Sequence, residues 1–105
     1  GILFDIDYQG SRQIKAAYPE AITIFLLPPS MAELERRIRG RGDTSDEQVA
    51  LRLRNAREEI ENYPQFDYIV VNDDLDEAHE KLRGIVLAES CRGHRQQKAA
   101  KSLLE

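Results

Sequence analysis

Arg37, Arg41 and Arg52 have the spacing with the clearest chemical meaning in this chain. On a helix turning about 100° per residue, Arg37 and Arg41 lie about 40° apart and face one way, while Arg39 lies about 160° from Arg37. Arg41 stands between Gly40 and Gly42, where helix would give way to loop. Arg52 follows Val49 by three residues, which places it about 60° beside the apolar stripe of the next helix. If the two helices flank a closing lid, three guanidinium groups converge on one point. Guanidinium stays charged at any working pH and its fork matches phosphate oxygens, so such a cluster suits a phosphoryl group in transfer. Glu33, Glu35, Asp46 and Glu47 are also within reach, and spacing alone leaves a solvated ion-pair surface open as the second reading.

Two further groups have chemical potential. Asp5 and Asp7 close an apolar run and, two residues apart, point to one face of a strand while Ile6 points to the other. Acids at a strand end can hold a nucleotide-bound magnesium through water; plain strand-end solubility is the alternative. Asn72-Asp73-Asp74 follows another apolar run, where Asx residues form turns and helix caps. Asp74 is explained that way, and Asn72 has the donors and acceptor to read a base edge. His79 and His94 have no partner set for catalysis or metal binding, and Tyr8, Tyr18, Tyr63 and Tyr68 read as packing residues with wet hydroxyls.

The elements that would position these groups follow from the apolar pattern. Ile2–Asp7 reads as a strand, 11–17 as a helix stopped by Pro19, and 21–27 as a second, almost continuously apolar strand ended by Pro28-Pro29. Ser30 with Glu33 forms a capping-box pattern that starts a helix burying Met31, Leu34 and Ile38. The glycine-interrupted stretch 39–43 has no apolar anchor and predicts a mobile lid segment. Thr44 with Glu47, or Ser45 with Gln48, caps the next helix, whose stripe is Val49, Leu53, Ala56 and Ile60. A third strand spans 66–71, and Asp74 with Glu77 starts a last helix with Leu75, Ala78, Leu82 and Ile85 inward. This order predicts an α/β fold with a parallel sheet, and ligands beyond the carboxyl ends of its strands.

Composition narrows the function classes. With 105 residues, 41% of them apolar, the chain suits one domain or part of one. Its net charge of −4 is uneven: four basic residues against Glu105 give +3 over residues 91–105, leaving −7 on the body. An acidic body argues against nucleic acid as partner. No apolar run approaches a membrane span, and the lone Cys91 excludes an internal disulfide, so the cytoplasm is the expected location. Gly1 leads straight into an apolar strand with neither cap nor initiator methionine, which reads as the interior of a longer protein.

Read in order, Phe4-Asp5-Ile6-Asp7-Tyr8-Gln9-Gly10, Ile24-Phe25-Leu26-Leu27-Pro28-Pro29-Ser30, Leu34-Glu35-Arg36-Arg37-Ile38-Arg39-Gly40-Arg41-Gly42 and Ile69-Val70-Val71-Asn72-Asp73-Asp74-Leu75-Asp76 resemble the C-terminal half of guanylate kinase. The likeness covers about residues 2–90. It implies a partial P-loop nucleoside monophosphate kinase fold, a parallel sheet flanked by helices with an arginine-bearing lid. Within a single domain over 1–105, residues 1–30 would be core, 31–62 the lid and its helices, 63–90 core again, and 91–105 a basic tail.

The resemblance also implies roles. Arg37 and Arg41 look like the lid arginines that close over the phosphates, and Arg52 like the second-helix arginine that joins them. Asp5 would lie near magnesium and Asp7 near GMP, while Asn72 and Asp73 match the loop against the adenine of ATP. The expected reaction is phosphoryl transfer from ATP to GMP, with Mg2+ accompanying ATP and neither nucleic acid nor membrane as partner. No G-x-x-x-x-G-K-[ST] occurs in these residues, nor does the family's GMP-binding subdomain. The N-terminal half of the same protein is therefore expected to complete the site, with its P-loop strand between the first two strands here, and this part alone is expected to be inactive. Catalytically dead guanylate-kinase-like interaction modules share the fold but lose the lid arginines and strand-end acids, and retention of all five favours the enzyme.

Overall fold

Short hydrogen-bonded elements alternate along the chain as its apolar periodicity requires. The computed structural model describes residues 8–105, so the strand expected over Ile2–Asp7 lies outside the described residues. The chain forms two compact units, one ending at Asn72 and the other running Asp73–Glu105.

In the first unit, helix α1 (Tyr8–Ala17) precedes strand β1 (Ile24–Leu27), helices α2 (Met31–Arg39) and α3 (Asp46–Glu61), a 3-10 turn at Tyr63–Gln65 and strand β2 (Tyr68–Val71). β1 and β2 pair in parallel with Ile24 opposite Tyr68 and Leu27 opposite Val71. Two helices fill the connection, as a parallel pair demands a long crossover. Both strands are shorter than their apolar runs. The residues ahead of them are tied differently: Asp67 accepts at Oδ2 from the Thr23 amide (2.8 Å), the Thr23 hydroxyl (3.1 Å) and Lys15 Nζ (2.5 Å). The Asp67 amide in turn donates to Thr23 Oγ1 at 3.1 Å. This side-chain knot joins the end of α1 to the start of both strands. Beside it the Phe25 and Phe66 rings pack with 4.6 Å between centroids, tilted by 34°.

Val49 and Val70 are buried, and Leu53, Ala56 and Ile60 are half-buried, so the stripe read on α3 is its inner side. The sheet is incompletely covered. Leu26, Ile69 and Val71 remain 46%, 42% and 43% exposed.

The second unit holds α4 (Leu75–Ser90), a 3-10 turn at Gly93–Arg95 and a short helix α5 (Gln97–Ser102) within the basic C-terminal stretch. The Asp74 carboxylate caps α4 by accepting from the Asp76 and Glu77 amides. Ala78 is buried and Leu82 and Ile85 are half-buried, as expected, but Leu75 is exposed. It is the first residue of the helix, where the chain is still turning in. Tyr18 and Tyr63 are also exposed, against the expectation that they pack.

Candidate functional site

The Ser30 hydroxyl accepts from the Glu33 amide at 3.0 Å and starts α2. The last turn of α2 carries Arg36, Arg37 and Arg39, a placement that the negative end of the helix dipole favours. Gly40 ends the helix and Gly42 takes φ 86°, in the left-handed region that glycine enters without steric cost. Ser45 and Gln48 then form a full capping box for α3, so of the two caps expected it is the second that forms. α2 and α3 pack on each other. Arg37, Arg41 and Arg52 thus sit on two packed helices and the turn between them.

Their side chains differ in how they are engaged. Arg37 is about one-third exposed; it donates from Nε to Glu33 Oε1 (3.1 Å) and from Nη2 to the main-chain oxygen of Asn72 (3.1 Å). Two residues expected in the site, Arg37 and Asn72, are therefore joined directly. Arg41 is exposed on the turn and Arg52 is exposed on α3, and neither side chain forms a hydrogen bond or ion pair among the described residues. Arg52 shares this freedom with Arg54 and Arg57 on the same helix, so freedom alone does not single it out.

The neighbouring arginines follow the surface reading instead. Arg36 forms a two-pronged pair with Glu33, Nε to Oε2 at 2.8 Å and Nη2 to Oε1 at 2.5 Å. Arg39 donates to Glu35 (3.3 Å) and, across the turn, to Asp46 (2.7 Å). Hydrogen bonds from Arg36, then the nearby charge of Arg36 and the contacts of Arg37, outweigh desolvation and hold the Glu33 carboxyl down at about 2. It is ionised at any working pH. Among the arginines of 36–41, ion pairing thus accounts for Arg36 and Arg39, in part for Arg37, and not for Arg41.

The remaining expected residues are placed as follows. Asp5 and Asp7 lie outside the described residues. Asp73 is exposed and leads into the cap of α4. Among the described residues no group of three His, Cys, Asp or Glu side chains could hold a metal ion. The contact of Glu33 with Arg37 belongs to the ion-pair reading that spacing leaves open, whereas the hold of the Asn72 carbonyl on the other arm of Arg37 is not among the expectations. The Glu33–Arg37 spacing of four was a usable signal; a main-chain acceptor leaves none.

The family model described as guanylate kinase matches residues 1–89. Among curated relatives, the chain is 53% identical over 94 residues to a guanylate kinase of Myxococcus xanthus, covering 89% of this chain and 45% of that protein. It is 46% identical over 103 residues to one of a Shewanella species, covering 98% and 50% respectively. The crystal structure of guanylate kinase from Anaplasma phagocytophilum superposes with a TM-score of 0.70 at 33% identity, over 86% of this chain and 41% of that one. The chain spans about half the length of the curated relatives it matches.

Proposed function

The chain belongs to the guanylate kinase family, and from that membership we propose that the intact protein transfers the terminal phosphoryl group of ATP to GMP, giving ADP and GDP. A phosphate oxygen of GMP forms the new bond to the γ-phosphorus as the bond to the β–γ bridging oxygen breaks, and ADP leaves with that electron pair. The attacking oxygen is already anionic, so no general base is needed. Positioning and charge neutralisation supply most of the rate.

In this reading Arg37, Arg41 and Arg52 neutralise the transferring group, Asn72 and Asp73 lie against the adenine, and Asp7 lies near GMP. When bound with ATP, magnesium would add charge neutralisation at the phosphates, and Asp5 would be its protein contact through water. The ATP phosphate cradle comes from the N-terminal half of the protein, so the 105-residue chain alone is inactive. The reading includes a cytoplasmic location and neither nucleic acid nor membrane as partner; among the described residues no helix is long and apolar enough to cross a membrane.

The observation that carries the proposal is the contrast along α2 and its turn. Acids hold Arg36 and Arg39, while Arg41 is left uncommitted and Arg37 is only partly engaged. The test is ADP formation by the full-length protein with ATP and magnesium, with and without GMP. GMP-dependent turnover is expected from the full-length protein and none from the 105-residue chain. A full-length protein that binds both nucleotides without turnover would overturn the kinase reading in favour of a binding module, and turnover by the short chain would overturn the need for the other half.

A further inference from the structure

Glu33 occupies the third position of α2, from which a glutamate ordinarily reaches back to the amide of the capping residue. Only half of that box forms here. The Ser30 hydroxyl accepts from the Glu33 amide, but the carboxylate turns along the helix to Arg36 and Arg37. Its Oε1 is shared between the two guanidinium groups, and Arg36 closes the second prong on Oε2.

The consequence falls on Arg37. Guanidinium carries five N–H donors. Arg37 commits one at Nε to Glu33 and one at Nη2 to the Asn72 carbonyl, a residue 35 positions away at the end of β2. A long side chain that would otherwise sample many rotamers is fixed at two points, with both Nη1 hydrogens and one on Nη2 left over. Fixing it before the ligand arrives removes an ordering cost from the bound state. We propose that Glu33 is a positioning residue for phosphoryl transfer, aiming the free donors of Arg37 with the Asn72 carbonyl as the second anchor; this rests on the kinase reading above.

The test is steady-state kinetics on the full-length protein and its Glu33→Gln, Arg37→Ala, doubly substituted and Arg36→Ala variants. Glutamine keeps the shape of Glu33 but turns a charge-assisted contact into a neutral one. Glu33→Gln should lower kcat about tenfold while KM for both nucleotides stays within about twofold. In the Arg37→Ala background it should cause no further loss, because the two residues act as one unit. Arg36→Ala should leave kcat within about twofold, since Glu33 keeps its own contact with Arg37 when the exposed pair with Arg36 is removed. Wild-type kcat in Glu33→Gln beside a slow Arg37→Ala would sink the role of Glu33 and leave the kinase reading standing. Additive losses would likewise assign Glu33 to helix stability alone. Full activity in Arg37→Ala would remove both Arg37 and its positioning residue from the reaction.

Discussion

Arg39 donates from Nε to Glu35 and from Nη1 to Asp46, so two carboxylates already answer its charge. The hydrogen bond to Asp46, and then that to Glu35, hold its guanidinium above even the usual arginine range. Arg41, two residues on, has no such partner among the described residues. A phosphate would have to displace carboxylates to reach Arg39 and nothing to reach Arg41. In the full-length protein Arg41→Ala should therefore lower kcat by about 100-fold or more, while Arg39→Ala should stay within about threefold. Steady-state turnover with ATP and GMP checks this, and equal losses would remove Arg41 from the neutralising set. The pairs of Arg36 and Arg39 with acids three and four residues earlier on the helix were legible in spacing. The reach of Arg39 across the turn to Asp46 depends on how α3 packs against α2, which no local period encodes.

Elements were most legible where the pattern is longest. α2 begins one residue after its serine, and the stripe Val49, Leu53, Ala56, Ile60 is the inner face of α3. Strand limits were less so, because apolar runs continue into residues that side chains bind instead. The Asp67 knot shows this, and it has its own pH dependence. Partial burial pushes the Asp67 carboxyl up, but donors from Lys15 and Thr23 outweigh it and hold it below the usual carboxylate range. A depressed carboxylate stabilises the fold fully above its unfolded pKa, and that stability is lost as pH falls below the ordinary aspartate range toward the lower folded value. Asp67→Asn should cost about 1 kcal/mol at pH 7, the lower end for a charged hydrogen-bonded group because this one is partly exposed. Urea denaturation of the full-length protein from pH 7 to pH 3 should show the gap between wild type and Asp67→Asn closing below about pH 4. A gap that stays constant over that range would mean that the carboxylate charge contributes nothing to the knot.

At the scale of the molecule, the parallel pairing of β1 and β2 was readable from two apolar runs separated by helices. How completely the sheet is covered was not readable, since burial depends on what lies on each face. Parallel sheets occur almost only where both faces are covered, yet Leu26 on one strand and Ile69 and Val71 on the other keep more than two-fifths of their surface exposed. Of the apolar side chains described, Val49, Val70 and Ala78 are the ones fully buried. Burying one large aliphatic side chain stabilises a fold by about 1.5–3 kcal/mol, so the exposed fractions of these three forgo about 2–4 kcal/mol, a large share of a small domain's stability. The 105-residue chain taken by itself should therefore unfold over a broad range by circular dichroism and bind a hydrophobic dye before heating. Adding the N-terminal half of the protein during refolding should sharpen the transition and abolish the dye signal, because those side chains then gain a neighbour. A steep, dye-free melt of the short chain would show instead that its own elements cover the sheet in solution.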